Sequence, residues 1–204
     1  MSERVWSEII DAHDDAMRQI AAAFGEAGKA PALEALRARL RRRLDELVAA
    51  LAPPLEAEEA VGLIVPLVFL LDEQVEVRIA RAAAPEKYAW LLLQADLFPD
   101  GDGGDVFYER AAALLRTPDP PELAVRVYLF CFQAGFQGRL FDDPAAIADW
   151  KARLAALLPV APPTNAATAA TALHKARPRS FYVWVTLAAL LAFQIVLLAI
   201  ARAM

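Results

Sequence analysis

Apolar residues recur along this chain at spacings of three and four, almost without interruption. Trp6, Ile9, Ile10, His13, Met17, Ile20 and Phe24 form one such stripe. It predicts an amphipathic first helix, ended by Gly25 and Gly28. Leu33, Leu36, Leu40, Leu44, Leu47 and Leu51 keep the same rhythm after Pro31, until Pro53-Pro54 breaks it. Proline suits the first turn of a helix, where its missing N–H is no loss, so a third helix is expected from about residue 55 to 83. It carries the apolar block 61–71, and Pro66 is expected to kink it. Further helices are predicted over 86–95, 105–116, 122–134 and 144–158. They are separated by a Gly/Asp-rich loop over 99–104, a proline connector over 117–121 and the turn Gly135-Phe-Gln-Gly138. No stretch alternates with period two. The expected fold is all-α, a bundle of about seven helices.

One segment departs from this amphipathic pattern. Residues 181–201 read FYVWVTLAALLAFQIVLLAIA, with no charge and a single strongly polar residue, Gln194. A helix of that length is about 31 Å long, which matches the hydrocarbon core of a bilayer. A core helix of a small domain would show a polar face, so a transmembrane helix is predicted. Lys175, Arg177 and Arg179 precede it and only Arg202 follows, so the positive-inside rule keeps the larger, N-terminal part cytoplasmic. The expected layout is a helical domain over 1–158, a Pro/Ala/Thr linker over 159–180, the span over 181–201 and a short far-side tail over 202–204. Gln194, near mid-membrane, is expected to hydrogen-bond to another helix, a contact worth about 0.6–2 kcal/mol and a route to self-association.

Charge refines this layout. The chain carries a net charge of −5, yet residues 159–204 hold four basic and no acidic side chains, so the part before them stands at −9. That makes nucleic acid an unsuitable partner. The local exception is Arg37, Arg39, Arg41, Arg42 and Arg43, read as a solvated helix face or, alternatively, a patch for a partner or lipid headgroups. The lone Cys131 cannot form an internal disulfide, which agrees with a reducing compartment, and its aromatic neighbours make it a small buried hydrophobe.

The chemistry of catalysis leaves no constellation. His13 lies on the apolar stripe and His174 in the linker, and no Cys or His neighbours complete a zinc set. The GDGGD loop lacks the Lys-Ser/Thr of a phosphate loop, and the Glu-x-x-His pairs of a di-metal bundle are absent. No cofactor, metal or small-molecule substrate is expected. Asp72, Glu73 and Glu76 follow the longest apolar block of the domain. They read either as the exposed end of a core helix, paired with Arg78 and Arg81, or as the edge of a groove that steers a partner.

The ordered pieces Phe69-Leu-Leu-Asp-Glu73, Trp90, Leu97-Phe98, Gly103-Gly104 with Phe107-Tyr108, and Tyr128-Leu-Phe-Cys-Phe-Gln-Ala-Gly-Phe-Gln-Gly-Arg139 carry a specific resemblance. In that order and spacing they resemble the DotU/IcmH family, which includes the type VI secretion membrane-complex subunits known as TssL. The resemblance covers about residues 5–158 and agrees with a C-terminal span. It implies a hook-like pair of helical bundles on the cytoplasmic face of a bacterial inner membrane, with the C-terminus periplasmic. It implies two protein partners, the IcmF-like TssM subunit and the TssK-like baseplate subunit, and no enzymatic activity. The alternatives are a type IVB counterpart that stabilises IcmF, or a tail-anchored helical enzyme. Carried over by position, Asp72, Glu73, Glu76, Gly103, Gly104 and Arg139 are candidate partner contacts, while Trp90, Phe98, Phe107, Gly135, Phe136 and Gly138 form the structural motif. Arg139 is expected to meet helix-end carbonyls or a carboxylate such as Asp72 or Glu73. The chain departs from the family over 123–128, where Leu-Ala-Val-Arg-Val-Tyr replaces a Leu-Glu-Tyr-Tyr run. A cell-wall-binding domain of the kind that some relatives carry is not expected.

Overall fold

The computed structural model describes residues 2–25, 30–52, 55–82, 84–96 and 103–159. The predicted linker, the predicted span with Gln194, and Phe98 lie outside the described residues. Among those described, no helix is long and apolar enough to cross a membrane.

Six α-helices order the compact unit Met1–Pro159: α1 (Ser2–Phe24), α2 (Leu33–Leu51), α3 (Ala57–Ala80), α4 (Gly103–Arg116), α5 (Glu122–Gln133) and α6 (Pro144–Ala155). α3 is the hub. It buries Ala60, Leu63 through Asp72, and Val75, so almost its whole circumference is covered over three turns. A helix apolar all round can satisfy itself only at the centre of a bundle. α1 and α2 pack on α3 from one group, and α4 and α5 from another, with α6 against α5. α2 buries the leucine line the spacing predicts, from Leu36 to Leu51. α1 differs by a small rotation. Its core line is Val5, Ile9, Ala12, Ala16 and Ile20, and the larger Trp6 and His13 lean instead on Phe130 of α5, at centroid distances of 5.8 and 4.8 Å. The two alanines carry too little apolar surface to stand out by hydropathy, and a small side chain lets helices approach closely.

Two helix ends are written in local chemistry. α5 stops in a Schellman turn: Phe136 N–H reaches Cys131 C=O at 2.9 Å and Gly135 N–H reaches Phe132 C=O at 3.3 Å, with Gly135 at φ +104°. α6 starts on Asp143, whose carboxylate accepts from Ala146 N–H at 2.9 Å, with Pro144 in the first turn. Cys131 is fully buried, and that burial pushes its thiol pKa well up.

The helix expected over 86–95 does not form. Its place is taken by two short 3-10 turns, Pro85–Lys87 and Leu93–Asp96, with no helix between them. The physical reason is competition for the backbone. Asp72 accepts the N–H groups of Leu93 and Gln94, and Arg37 donates to the C=O groups of Leu91 and Leu92, so those groups are spent on α2 and α3. A helix needs the same groups for itself. Among the described residues the α-helix count is therefore six, not seven. Gly103-Gly104, expected in a loop, instead opens α4.

Candidate docking groove

The C-terminal half of α3 ends its buried run on two consecutive carboxylates. Asp72 is 2% exposed. Its Oδ1 accepts from Trp90 Nε1 and Leu93 N–H, both at 2.8 Å, and its Oδ2 from Gln94 N–H at 3.0 Å. Burial pushes its pKa up, against the pull of those three donors and of Arg37. Glu73 turns the other way, to the residues after α5. It accepts from Gln137 N–H at 3.0 and 3.1 Å and from Gly138 N–H at 2.9 Å. Burial raises its pKa too. The expected pairing with Arg78 and Arg81 is not made, since Arg78 turns to Gln74. Asp72 and Glu73 are thus not an exposed helix end: each accepts hydrogen bonds from a different segment of the chain.

The segment over 136–141 is pinned from a second side by α4. The Tyr108 hydroxyl donates to Gln137 C=O at 2.6 Å, and burial, with the Glu73 charge behind it, pushes that hydroxyl up to about 12. Arg139 lies over the Tyr108 ring at 4.9 Å and bonds Asp105 in the first turn of α4 at 2.6 Å. Arg139 does meet a carboxylate, as expected, but Asp105 rather than Asp72 or Glu73. Those two point their oxygens at the Trp90 indole and at backbone N–H groups of other segments. Phe136 drops into the core against Phe107 at 4.0 Å, and Phe107 itself is fully buried. Gly138 sits at φ +51°, and a Cβ there would stand 3.0 Å from Phe136 Cζ and 3.4 Å from Tyr108 Cε2. Gly138→Ala therefore combines left-handed strain with crowding. It is expected to lower stability by about 1–3 kcal/mol in a urea titration.

Between these segments and α3 runs an open groove of about 760 Å³. Leu92 and Gln94 form one wall, Gln137, Gly138 and Arg139 another, and Glu76, Val77 and Ala80 the floor, with Phe141 at the rim, 67% exposed. Glu76 is exposed and has no hydrogen bond or ion pair among the described residues. Loss of water along the groove raises its pKa, and the Asp72 and Glu73 charges raise it further. A carboxyl whose folded pKa exceeds its unfolded value takes up its proton more readily in the folded state, so stability falls as pH climbs through that interval. Glu76→Gln never charges. It is expected to raise the melting temperature at pH 7, and the gain should close as pH falls below the ordinary value of 4.5.

Two of the five arginines in the α2 cluster, Arg37 and Arg41, wire the first wall, while Arg42 and Arg43 pair with Glu46 and Asp15. Arg37 donates to Leu91 C=O at 2.8 Å and to Asp96 at 2.8 Å, and Arg41 also bonds Asp96. Burial acts to raise the Asp96 pKa, but the two guanidinium groups outweigh it and hold it below the ordinary value. Arg41 also pairs with Asp45. Reading the residues alone placed Arg37 and Arg41 in a basic cluster without seeing this role, and did not single out Asp96 or Phe141. The only signal was the spacing of four between Arg37 and Arg41, which puts both on one face of α2.

The candidates gather unevenly. Asp72, Glu73, Glu76, Phe136, Gly138 and Arg139 line this one groove, and Trp90 and Phe107 support it from behind. Gly103-Gly104 opens α4 directly before Asp105 and is not among the lining residues. Among the described residues, no group of three His, Cys, Asp or Glu side chains could hold a metal ion.

No curated protein matches the chain. Among solved structures it is similar to DotU from Francisella novicida, at 17% identity and a TM-score of 0.61, over 74% of this chain and 97% of that one. At that identity the likeness shows the fold. The family model described as type VI secretion system protein DotU matches residues 8–204, nearly the whole sequence. With the LLDE and Gly-Phe-Gln-Gly-Arg pieces meeting at one groove, the chain belongs to the DotU family of type VI secretion system proteins.

Proposed function

We propose that this chain is a non-enzymatic inner-membrane subunit of a type VI secretion membrane complex, anchored by residues 181–201, with residues 1–158 on the cytoplasmic side. In this reading the helical domain docks two proteins, an IcmF-like TssM subunit and a TssK-like baseplate subunit. The family match over residues 8–204 carries the proposal. Two features of the groove support it. Glu76, unpaired among the described residues, stands beside two other carboxylates, an arrangement that costs folding stability and suits a cationic group supplied by a partner. Phe141 presents a large apolar face at the rim, the kind of side chain that anchors interfaces.

The test is co-expression of the full chain with the IcmF-like and baseplate subunits encoded beside it, followed by affinity capture from membranes. Capture of either subunit is expected, as is its weakening by Phe141→Ala. Capture of neither, or substrate turnover by the purified chain, would overturn the reading. Sheath and baseplate genes as neighbours separate a type VI role from a type IVB one.

A further inference from the structure

Consecutive residues on an α-helix point about 100° apart. Asp72 and Glu73 use that offset to reach two different segments. Asp72 holds Trp90, Leu93 and Gln94, and Glu73 holds Gln137 and Gly138. Those segments are two walls of the groove. All four carboxylate oxygens are occupied: Asp72 Oδ1 by two donors and Oδ2 by one, Glu73 Oε1 by one and Oε2 by two. Each carboxylate thus spends three of its roughly four acceptor sites on the fold, and a partner's cation arriving there would compete with backbone N–H groups that have no other acceptor among the described residues. Glu76, one turn further along α3, has no such commitment.

We propose that Asp72 and Glu73 are positioning residues, each holding one wall of the groove, and not contact residues for whatever docks there. This rests on the docking reading above only for what the groove receives. The two walls are held independently, because each has its own second anchor. Arg37 and Arg41 secure the 88–96 wall through Asp96, and Tyr108 secures the 137–138 wall through the Gln137 carbonyl. Conservative variants should therefore loosen one wall without unfolding the domain. Asp72→Asn and Glu73→Gln each put an amide N–H where a carboxylate oxygen accepted one.

Two measurements on the full chain in lipid nanodiscs test this. The first is hydrogen exchange by mass spectrometry. Losing one charge-assisted hydrogen bond corresponds to about 10- to 100-fold faster exchange. Asp72→Asn is expected to show that rise over 88–96 and not at 137–138, and Glu73→Gln the reverse. The second is carboxyl labelling with a carbodiimide and glycine ethyl ester. A purely structural defect would not alter its pattern in the unmutated chain. Glu76 is expected to be modified, and Asp72 and Glu73 not. A variant that loosens both walls or neither, or labelling of Asp72 or Glu73 at the rate of Glu76, would overturn the assignment. Failure of the IcmF-like and baseplate subunits to bind would sink the docking reading and leave both of these results decisive.

Discussion

Asp72→Ala is expected to lower the unfolding free energy by about 3–5 kcal/mol, since truncating a buried, hydrogen-bonded charge strands its partners. Three donors lose their acceptor at once: the Trp90 indole and the N–H groups of Leu93 and Gln94. A buried donor left unpaired costs about 1–3 kcal/mol. The groove offers water to part of this set, which keeps the total below the simple sum. The raised pKa of Asp72 argues for a gain on removing the charge, because burial disfavours the ionised form. The two effects are of unequal size. Losing the charge recovers one desolvation penalty, while losing the acceptor exposes three new ones. A fall in melting temperature of about 10 °C is expected at this chain size, read by circular dichroism on the full chain in detergent. Asp72→Asn should lose less, since its remaining oxygen can still accept from Trp90 and Leu93. A drop under about 2 °C for Asp72→Ala would show that the segment over 88–96 does not depend on this carboxylate.

Phe107→Ala is the second large loss, also expected at about 3–5 kcal/mol. Phe107 is fully buried at the meeting point of α3, α4 and α5. Its ring centroid lies 4.0 Å from Phe136, 4.9 Å from Tyr128, 5.2 Å from Phe132, 5.6 Å from Tyr108 and 6.3 Å from Phe69. Removing it opens a cavity whose rim is made of rings too stiff to collapse inward, so the cavity persists. Edge-on aromatic contacts add about 0.5–1.5 kcal/mol per pair beyond burial, and several go together here. Phe107→Leu should cost roughly half as much, because a branched aliphatic side chain fills part of the volume. Phe141→Ala is the control, expected within about 0.5 kcal/mol since that ring is exposed. Guanidinium denaturation of the three variants decides it. Equal losses for Phe107→Ala and Phe141→Ala would contradict the packing described.

The helices were legible where periodicity and end signals agreed. α2 forms with its leucine line buried, and α6 starts at its Asp-Pro signal. Where a side chain from elsewhere claims the backbone, sequence periodicity misleads. The stretch from Glu86 to Ala95 has helical spacing, yet Asp72 and Arg37 take its polar groups from 21 and 55 residues away in sequence, and no local rule registers that. The same distance effect explains the groove. Asp72 and Glu73 stood out as charges after an apolar block, and the groove opens beside them. Their roles depended on which backbone groups lay opposite, and those belong to segments near 93 and 137. Arg139 was expected to find a carboxylate and did, but Asp105 is the one that α4 brings within reach. The glycines after α5 were the most readable part of the site. A helix that ends on Gly-Phe-Gln-Gly with φ values of +104° and +51° leaves few side chains able to take those positions.

The burial of Cys131 has a practical outcome for experiments on this protein. It is the single thiol of the chain, and it is sealed inside α5 with its ionisation suppressed. Thiolate is the species that reacts with maleimides and methanethiosulfonates, so the native background should stay silent to such reagents while the domain is folded. Cysteines introduced at Glu76 or Phe141 could then carry spin labels or fluorophores without first deleting the native one. Labelling of Cys131 itself would report only molecules that have opened, which makes the unaltered sequence its own unfolding gauge.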